Sequence, residues 1–211
     1  MNNIILSILT PTIPERLDKW IALTQEIHLQ VTALHTTHPS LGHVQHLSDT
    51  GDSYNAGGLS IGKKREKLVQ QAEGKYLCFL DDDDWPAPNY VETLARHCNL
   101  NADVVTFRNF TTTDFFWTLV DMSLNNPTDE EATPDRIVKR RPWLVCPVRS
   151  KYAKQFAFPD INYSEDSIWM NQVLTLCRTE AHTDKILHSY RHSAKTSEAD
   201  RIIRTTYDRL L

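Results

Sequence analysis

Apolar positions along the first hundred residues fall alternately into short unbroken runs and into stripes of helical period. Residues 4–9, IILSIL, read as a buried strand. TPTIPERLDKWIALTQEI follows, with Thr12 as a cap, Pro14 near the first turn and a helical pattern to Ile27. Residues 31–34 make a second strand, and HTTHPSLGHVQHLSDTGDSYNAGG reads mostly as loop with a short strand over 44–47. IGKKREKLVQQAEG is a helix stopped by Gly74, and YLCFL after it is a strand apolar on both faces. PNYVETLARHC is a further helix and ADVVTF a further strand. Strands alternating with helices predict an α/β fold with a parallel sheet. From Arg108 to Arg141 the pattern turns strand-like and aromatic, broken by NNPTDEEATPD. A helix from near Ser164, a strand over 186–190 and a final helix from about Ser197 complete the chain. There is no internal repeat and no low-complexity segment.

Two of these helices carry charged residues on the wrong face. At 100° per residue, Ile61, Leu68, Val69 and Ala72 form one stripe, while Lys63, Glu66, Lys67 and Gln70 face away. Arg65 falls inside the stripe and Lys64 on its flank. A guanidinium pointed inward needs a partner, either a substrate or an acidic side chain. In YSEDSIWMNQVLTLC, Ser164 is the expected N-cap; Asp166 shares a face with Met170, Val173 and Cys177, and Glu165 points elsewhere. A carboxylate in a first turn is held ionised by the helix dipole, which suits a general base; capping the helix is the commoner role.

The YLCFL strand ends in Asp81, Asp82, Asp83 and Asp84. Adjacent carboxylates repel by roughly 1 kcal/mol in water and roughly 4 kcal/mol at the effective dielectric of a protein surface. At the carboxyl end of a parallel strand, where such sheets bind ligands, a hard divalent cation would relieve that repulsion. A carboxylate pair with such a cation points to a phosphate-bearing substrate; the bland reading is a solvated acidic turn.

Composition narrows the class. The chain has 211 residues, 40% hydrophobic and 24% charged, with net charge −4, which gives no reason to expect nucleic-acid binding. No apolar run approaches the ~18 residues of a membrane span, and the N-terminus lacks a signal-peptide pattern. Four widely spaced cysteines without a CxxC pair suggest buried, reduced thiols and a cytoplasmic setting. All six glycines lie between Gly42 and Gly74, as if one segment were built around a ligand or were simply a long loop. His35, His38, His43 and His46 have the spacing of two HxxH pairs, but loop histidines without cysteines are more often solvent-facing than zinc-binding. Cys146 has no histidine placed beside it and reads as packing.

Taken together the motifs resemble the family 2 glycosyltransferases. ILSILTPTIPERLDKW resembles that family's first strand, Pro-Thr turn and helix, and SIGKKREKLVQQAEGKYLCFLDDDDW its basic helix, strand and acidic motif. WPAPNYVE, NYSEDSIWMNQVL and YRHSAKTS resemble the later segments, so that the likeness spans residues 4–197. The resemblance implies an α/β fold of the GT-A (Rossmann-like) type, a mixed, mostly parallel sheet flanked by helices. It implies one domain over 1–211: a nucleotide-sugar half over 1–100, an acceptor half over 101–197, and a C-terminal helix over 198–211 leading toward further domains after Leu211. The implied reaction is metal-dependent transfer, with inversion, from a UDP-sugar to a glycan hydroxyl, using Mn²⁺ or Mg²⁺. Asp81 would face the ribose and Asp83 the metal, with Asp82 and Asp84 shaping the turn. Arg65, beside Lys64, would contact the base or diphosphate, and Thr12 would line the nucleotide pocket. Asp166 would deprotonate the acceptor, and His192 would be a metal or diphosphate ligand. The family's acidic pair after its second strand, where an Asp recognises uracil, reads ALHTTHPS here, so His35, Thr36 or Thr37 would have to substitute. Within the family, the resemblance extends to the N-terminal domain of a multidomain capsid glycosyltransferase of a large DNA virus, which implies the host cytoplasm. Rival readings are a sugar-phosphate nucleotidyltransferase, whose Gly-rich basic loop TPTIPER does not supply, and a non-catalytic nucleotide-sugar-binding domain. DDDDW also misses the last position of an aspartyl phosphatase motif.

Overall fold

A computed structural model describes residues 3–134 and 136–191. In chain order the elements are β1 (Ile4–Pro11), α1 (Leu17–Thr37), β2 (His43–Asp49), α2 (Ile61–Gln71), β3 (Tyr76–Phe79), β4 (Trp85–Pro86) and α3 (Tyr90–Cys98). Then come β5 (Val104–Thr112), β6 (Trp117–Met122), β7 (Ile137–Arg140), β8 (Val148–Arg149), α4 (Ser150–Ala153), α5 (Glu165–Leu174) and β9 (Glu180–Arg191).

The strands join one mixed sheet in the order β2-β1-β3-β8-β5-β6-β7, with β9 along β5 and β4 on β9. β1 pairs in parallel with β2 and β3, setting Leu9 opposite Leu47 on one side and Phe79 on the other. The β3–β8, β8–β5, β5–β6 and β4–β9 pairings are antiparallel. Because β9 runs in parallel along β5 from Val104 to Thr112, β8 at Val104 and β6 at Arg108–Thr112 must share its opposite edge. The core is continuous across these joins: Ile8, Phe79, Val105, Val148 and Leu187 belong to one buried cluster. Among the described residues, no helix is long and apolar enough to cross a membrane.

Three sequence expectations change. Residues 31–34 are not a strand but the last turns of α1, whose buried positions Leu23, Ile27, Gln30 and Leu34 keep a helical spacing. Thr12 caps nothing: a 3-10 turn over Pro14–Arg16 precedes α1, and the Thr12 hydroxyl is bonded elsewhere. The last strand is more than twice as long as 186–190, because its first half alternates around Ala181 rather than forming an apolar run. The expected helix over 198–211 lies outside the described residues.

The four cysteines are free and buried. Burial pushes the Cys146 thiol far up, consistent with packing. His35, His38, His43 and His46 form no metal-ligand group among the described residues: His35 packs edge-on against His43, while His38 meets Arg96. Gly62 explains part of the glycine pattern, since a Cβ there would lie 1.9 Å from the Pro159 carbonyl oxygen. It admits the protein's own 159–161 backbone against the start of α2, and its N–H donates to Ile161.

His46, half-buried on β2, gives the fold an acid-sensitive point. Thr10 donates its proton to the Leu80 carbonyl, so His46 Nε2, 2.9 Å away, is the donor to Thr10. Burial lowers the His46 pKa to about 4. The unfolded chain then binds the extra proton, so this contribution is whole above pH 6.5 and is lost as pH falls toward 4. The loss is at most about 3 kcal/mol, less what solvent screens. In urea melts at pH 7 and pH 5, His46→Gln, which keeps a donor, is expected to lose less stability on acidification than the wild type. Equal losses would locate the acid sensitivity elsewhere.

Candidate active site

The acidic turn sits where the carboxyl ends of β1 and β3 meet β9 and the N-terminal turns of α2 and α5. Leu80 N–H still donates to Leu9, and Asp84 N–H then closes the turn onto the Asp81 carbonyl. The crowded charges are answered largely by the protein's own cations. Asp81 accepts from Arg65 at 3.0 Å. Asp82 accepts from the Thr12 hydroxyl at 2.5 Å and pairs with Arg16 at 2.6 Å. Arg16 also touches Asp83, and His188 Nε2 lies 2.9 Å from Asp84.

Burial separates the four acids. Asp82 and Asp84 are buried and Asp83 is exposed, with Asp81 between them. Burial pushes Asp82 up to about 6 against the pull of Thr12 and Arg16, and raises Asp84 against His188. Asp82 and Asp84 thus hold the turn in place from within, while Asp83 faces outward.

Arg65 points inward, and its partners are acids. It is 5% exposed, bonds Asp81, and reaches Glu165 at 3.2 Å, lying over the Phe79 ring. Burial opposes its charge, but Asp81 and Glu165 outweigh that and hold the guanidinium above its ordinary value. Glu165, rather than Asp166, is therefore the buried acid of α5, and its pKa is raised by burial. The wheel puts Asp166 in the stripe of Trp169, Met170 and Val173, yet it is Glu165 that is buried, because Arg65 on α2 reaches it from the flank. Ser164 does not cap α5 through its side chain and takes a left-handed conformation, φ 62°. Asp166 is half-buried, and its Oδ1 accepts from Ser167 N–H at 2.7 Å.

Lys64 is fully buried, not on a flank, and bonds the Thr12 and Gly51 carbonyls. Burial lowers its pKa while Asp49, 3.6 Å away, works to raise it. Lys64 thereby ties the end of β1 to the loop after β2. Asp49 itself is what the sequence reading missed. With residues 31–34 in α1, the second strand is β2, and it ends in Asp49, not in ALHTTHPS. The signal was present in the short strand read over 44–47. Asp49 accepts from Gly51 N–H at 3.0 Å and Lys67 at 2.8 Å. Burial works against its ionisation, yet these donors hold it below the usual carboxylate range. His192 lies outside the described residues.

Besides a hollow of about 570 Å³ lined by Asp82, Asp83, Asp84, Trp85 and Arg191, two more lie on the Asp166 side of this turn. A cleft of about 500 Å³ is lined by Ile13, Tyr54, Asn55, Lys64, Asp166 and Tyr190. A smaller one of about 100 Å³ is lined by Asp81, Asp84, Trp143, Asp166, His188 and Tyr190. Asp166 and Tyr190 border both. Asp81 Oδ1 and Asp84 Oδ1 are shielded from solvent without a hydrogen-bond partner. Unmet acceptors of this kind beside a hollow mark a place for a cation or a donor group. The carboxylate oxygens there suit a hard divalent ion, whereas Asp83, paired with Arg16, borders the 570 Å³ hollow.

A mixed sheet with this strand order, flanked by helices, has the GT-A fold. Residues 54–154, just under half of the chain, match the family model described as glycosyl transferase family 2. The structure resembles S. aureus TarS 1–349 in complex with UDP, with a TM-score of 0.61 at 16% identity over 91% of this chain. The complex of the same TarS fragment with UDP-GlcNAc gives 0.59 at 15% identity over 90% of this chain. The chain spans 62% and 59% of those two chains. No curated protein matches the sequence.

Proposed function

We propose that this domain transfers a sugar from a nucleotide diphosphate sugar, UDP-linked, to a glycan hydroxyl with inversion. The observation that carries the reading is that Asp166 borders both the larger cleft and the small hollow beside Asp81. A donor lying in the cleft with its diphosphate toward Asp81 would present its anomeric carbon near Asp166. The nucleotide end is bordered by the 53–64 segment and Ile13, with Thr12 buried behind it on Asp82, in keeping with the proposed division into a donor half over 1–100 and an acceptor half over 101–197. The UDP and UDP-GlcNAc complexes of TarS support a uridine donor, and Asp49, at the end of β2, would correspond to the uracil-recognising Asp that the family resemblance implies.

In a single displacement the acceptor oxygen forms its bond to the anomeric carbon as the bond to the diphosphate breaks. The acceptor proton passes to the Asp166 carboxylate. Asp81 faces the ribose, oriented by Arg65, and Lys64 holds the floor of the cleft. Asp83, with Asp81 and His192, would hold Mn²⁺ or Mg²⁺, which neutralises charge developing on the leaving diphosphate. The viral setting and the host cytoplasm rest on the sequence resemblance alone.

A panel of nucleotide sugars assayed for hydrolysis and transfer tests the reading. Turnover is expected to vanish in excess EDTA and in Asp83→Asn, whose melting temperature should stay at the wild-type value because Asp83 is exposed. Asp84→Asn should first lose stability, since it leaves His188 buried without its charge partner. Full activity in EDTA would overturn the metal role.

A further inference from the structure

The second half of the sheet has two unlike faces. Asn109, Val120, Val138 and His188 are register partners, and all four are buried. Their neighbours along each strand point the other way. Trp85 stands opposite Ser189, Ser189 opposite Phe110, Phe110 opposite Leu119, and Leu119 opposite Ile137. Cross-strand partners share a face, so these side chains form one row over β4, β9, β5, β6 and β7. The row holds no charged residue. Trp117 stacks on Phe110 with ring centroids 5.8 Å apart, and Ile186, opposite Arg108, flanks the row on the other side. Trp85, Trp117, Ile137 and Ile186 are 44% to 62% exposed. A contiguous apolar band of this kind marks a docking surface.

The chain itself supplies an occupant. β9 ends at Arg191, opposite Thr112 and two residues past Ser189 of the row. Residues 192–211 lie outside the described residues, but their sequence carries a pattern. Ala199, Ile202, Ile203, Tyr207 and Leu210 recur at helical spacing, with Arg201, Arg204 and Asp208 opposite them. As a helix, residues 198–211 would be about 21 Å long. Five strands at their usual separation span about 19 Å. The connecting residues 192–197 reach up to about 20 Å when extended, enough to bring such a helix to either end of the row.

We propose that residues 198–211 fold back as a helix across this row, with Ala199, Ile202, Ile203, Tyr207 and Leu210 laid against it. Trp85 also borders the 570 Å³ hollow beside Asp83, so the docked segment reaches the edge of the acidic turn. This docking stands whether or not the domain transfers sugar.

Hydrogen exchange of the full chain, read by mass spectrometry, tests it. A helix this short is marginal in water by itself, so protection of its amides reports docking. Amides of 200–210 are expected to exchange at least about 10-fold more slowly than in an unstructured chain. Ile137→Glu and Trp117→Ser, at exposed positions on two different strands, should each abolish that slowing while the amides of β1 and β3 stay protected. Either variant decides the question if the other fails to fold. Ile203→Glu should abolish the slowing from the opposite side of the contact. Exchange of 200–210 at the unstructured rate in the wild type would overturn the docking. So would slowing that survives the face variants with β1 and β3 intact. Slowing that fades on dilution, with a dimer seen in sedimentation, would also overturn it and assign the face to a second copy of the chain.

Discussion

Asp166→Asn is expected to bind the donor as the wild type does and to transfer sugar at least about 10²-fold more slowly, the contribution of a positioned general base. The substitution keeps size and keeps an oxygen to accept the Ser167 N–H, so the first turn of α5 retains its local bond. Folding should be nearly untouched, because Asp166 is only half-buried and makes no ion pair among the described residues. Calorimetric titration with the donor, run beside a transfer assay, separates binding from chemistry. Transfer at the wild-type rate would exclude Asp166 as the base. Glu165 could not inherit the role easily, since it is buried and paired with Arg65. Asp160, exposed and bonded to the Ser60 hydroxyl, would be the next acid to test.

Arg65→Ala should destabilise the fold by about 3–5 kcal/mol, as removal of one member of a buried ion pair does. Glu165 would be left buried with no counter-charge, and Asp81 would lose the hydrogen bond that orients it. For a domain of this size that is a fall in melting temperature on the order of 10 °C. Adding Glu165→Gln should recover part of it by removing the stranded charge. A melting temperature unchanged by Arg65→Ala, with weakened donor affinity, would assign Arg65 to the substrate instead of to the protein's own acids.

How much could be read beforehand follows from where the local signals agree. The 61–84 segment was legible because a clean apolar stripe, a stopping glycine and an unbroken core strand point the same way. Arg65 was legible as an inward charge, but an isolated wheel cannot choose between substrate and acid; that needed α5, a hundred residues away. The second strand was misread because Val31, Ala33 and Leu34 are apolar in any conformation, whereas β2 is a sheet margin rich in His and Gln. Asp49 was lost with it. On α5 the wheel favours Asp166, but the buried acid is Glu165, drawn in by Arg65 of another helix, which no single-helix pattern shows. Trp143 carried no sequence signal at all, since only the fold brings it beside Asp166.

The short strand β8 has a consequence for how the chain must be made. Its two residues, Val148 and Arg149, are what cover the free side of β3 and tie it to β5. Until they emerge during synthesis, the first hundred residues can assemble β2, β1 and β3 but must carry one bare apolar strand edge. Such an edge is a template for pairing with other chains. Expressing residues 1–100 alone should therefore give an aggregating fragment, and co-translational folding should reach closure only once residue 149 has cleared the ribosome.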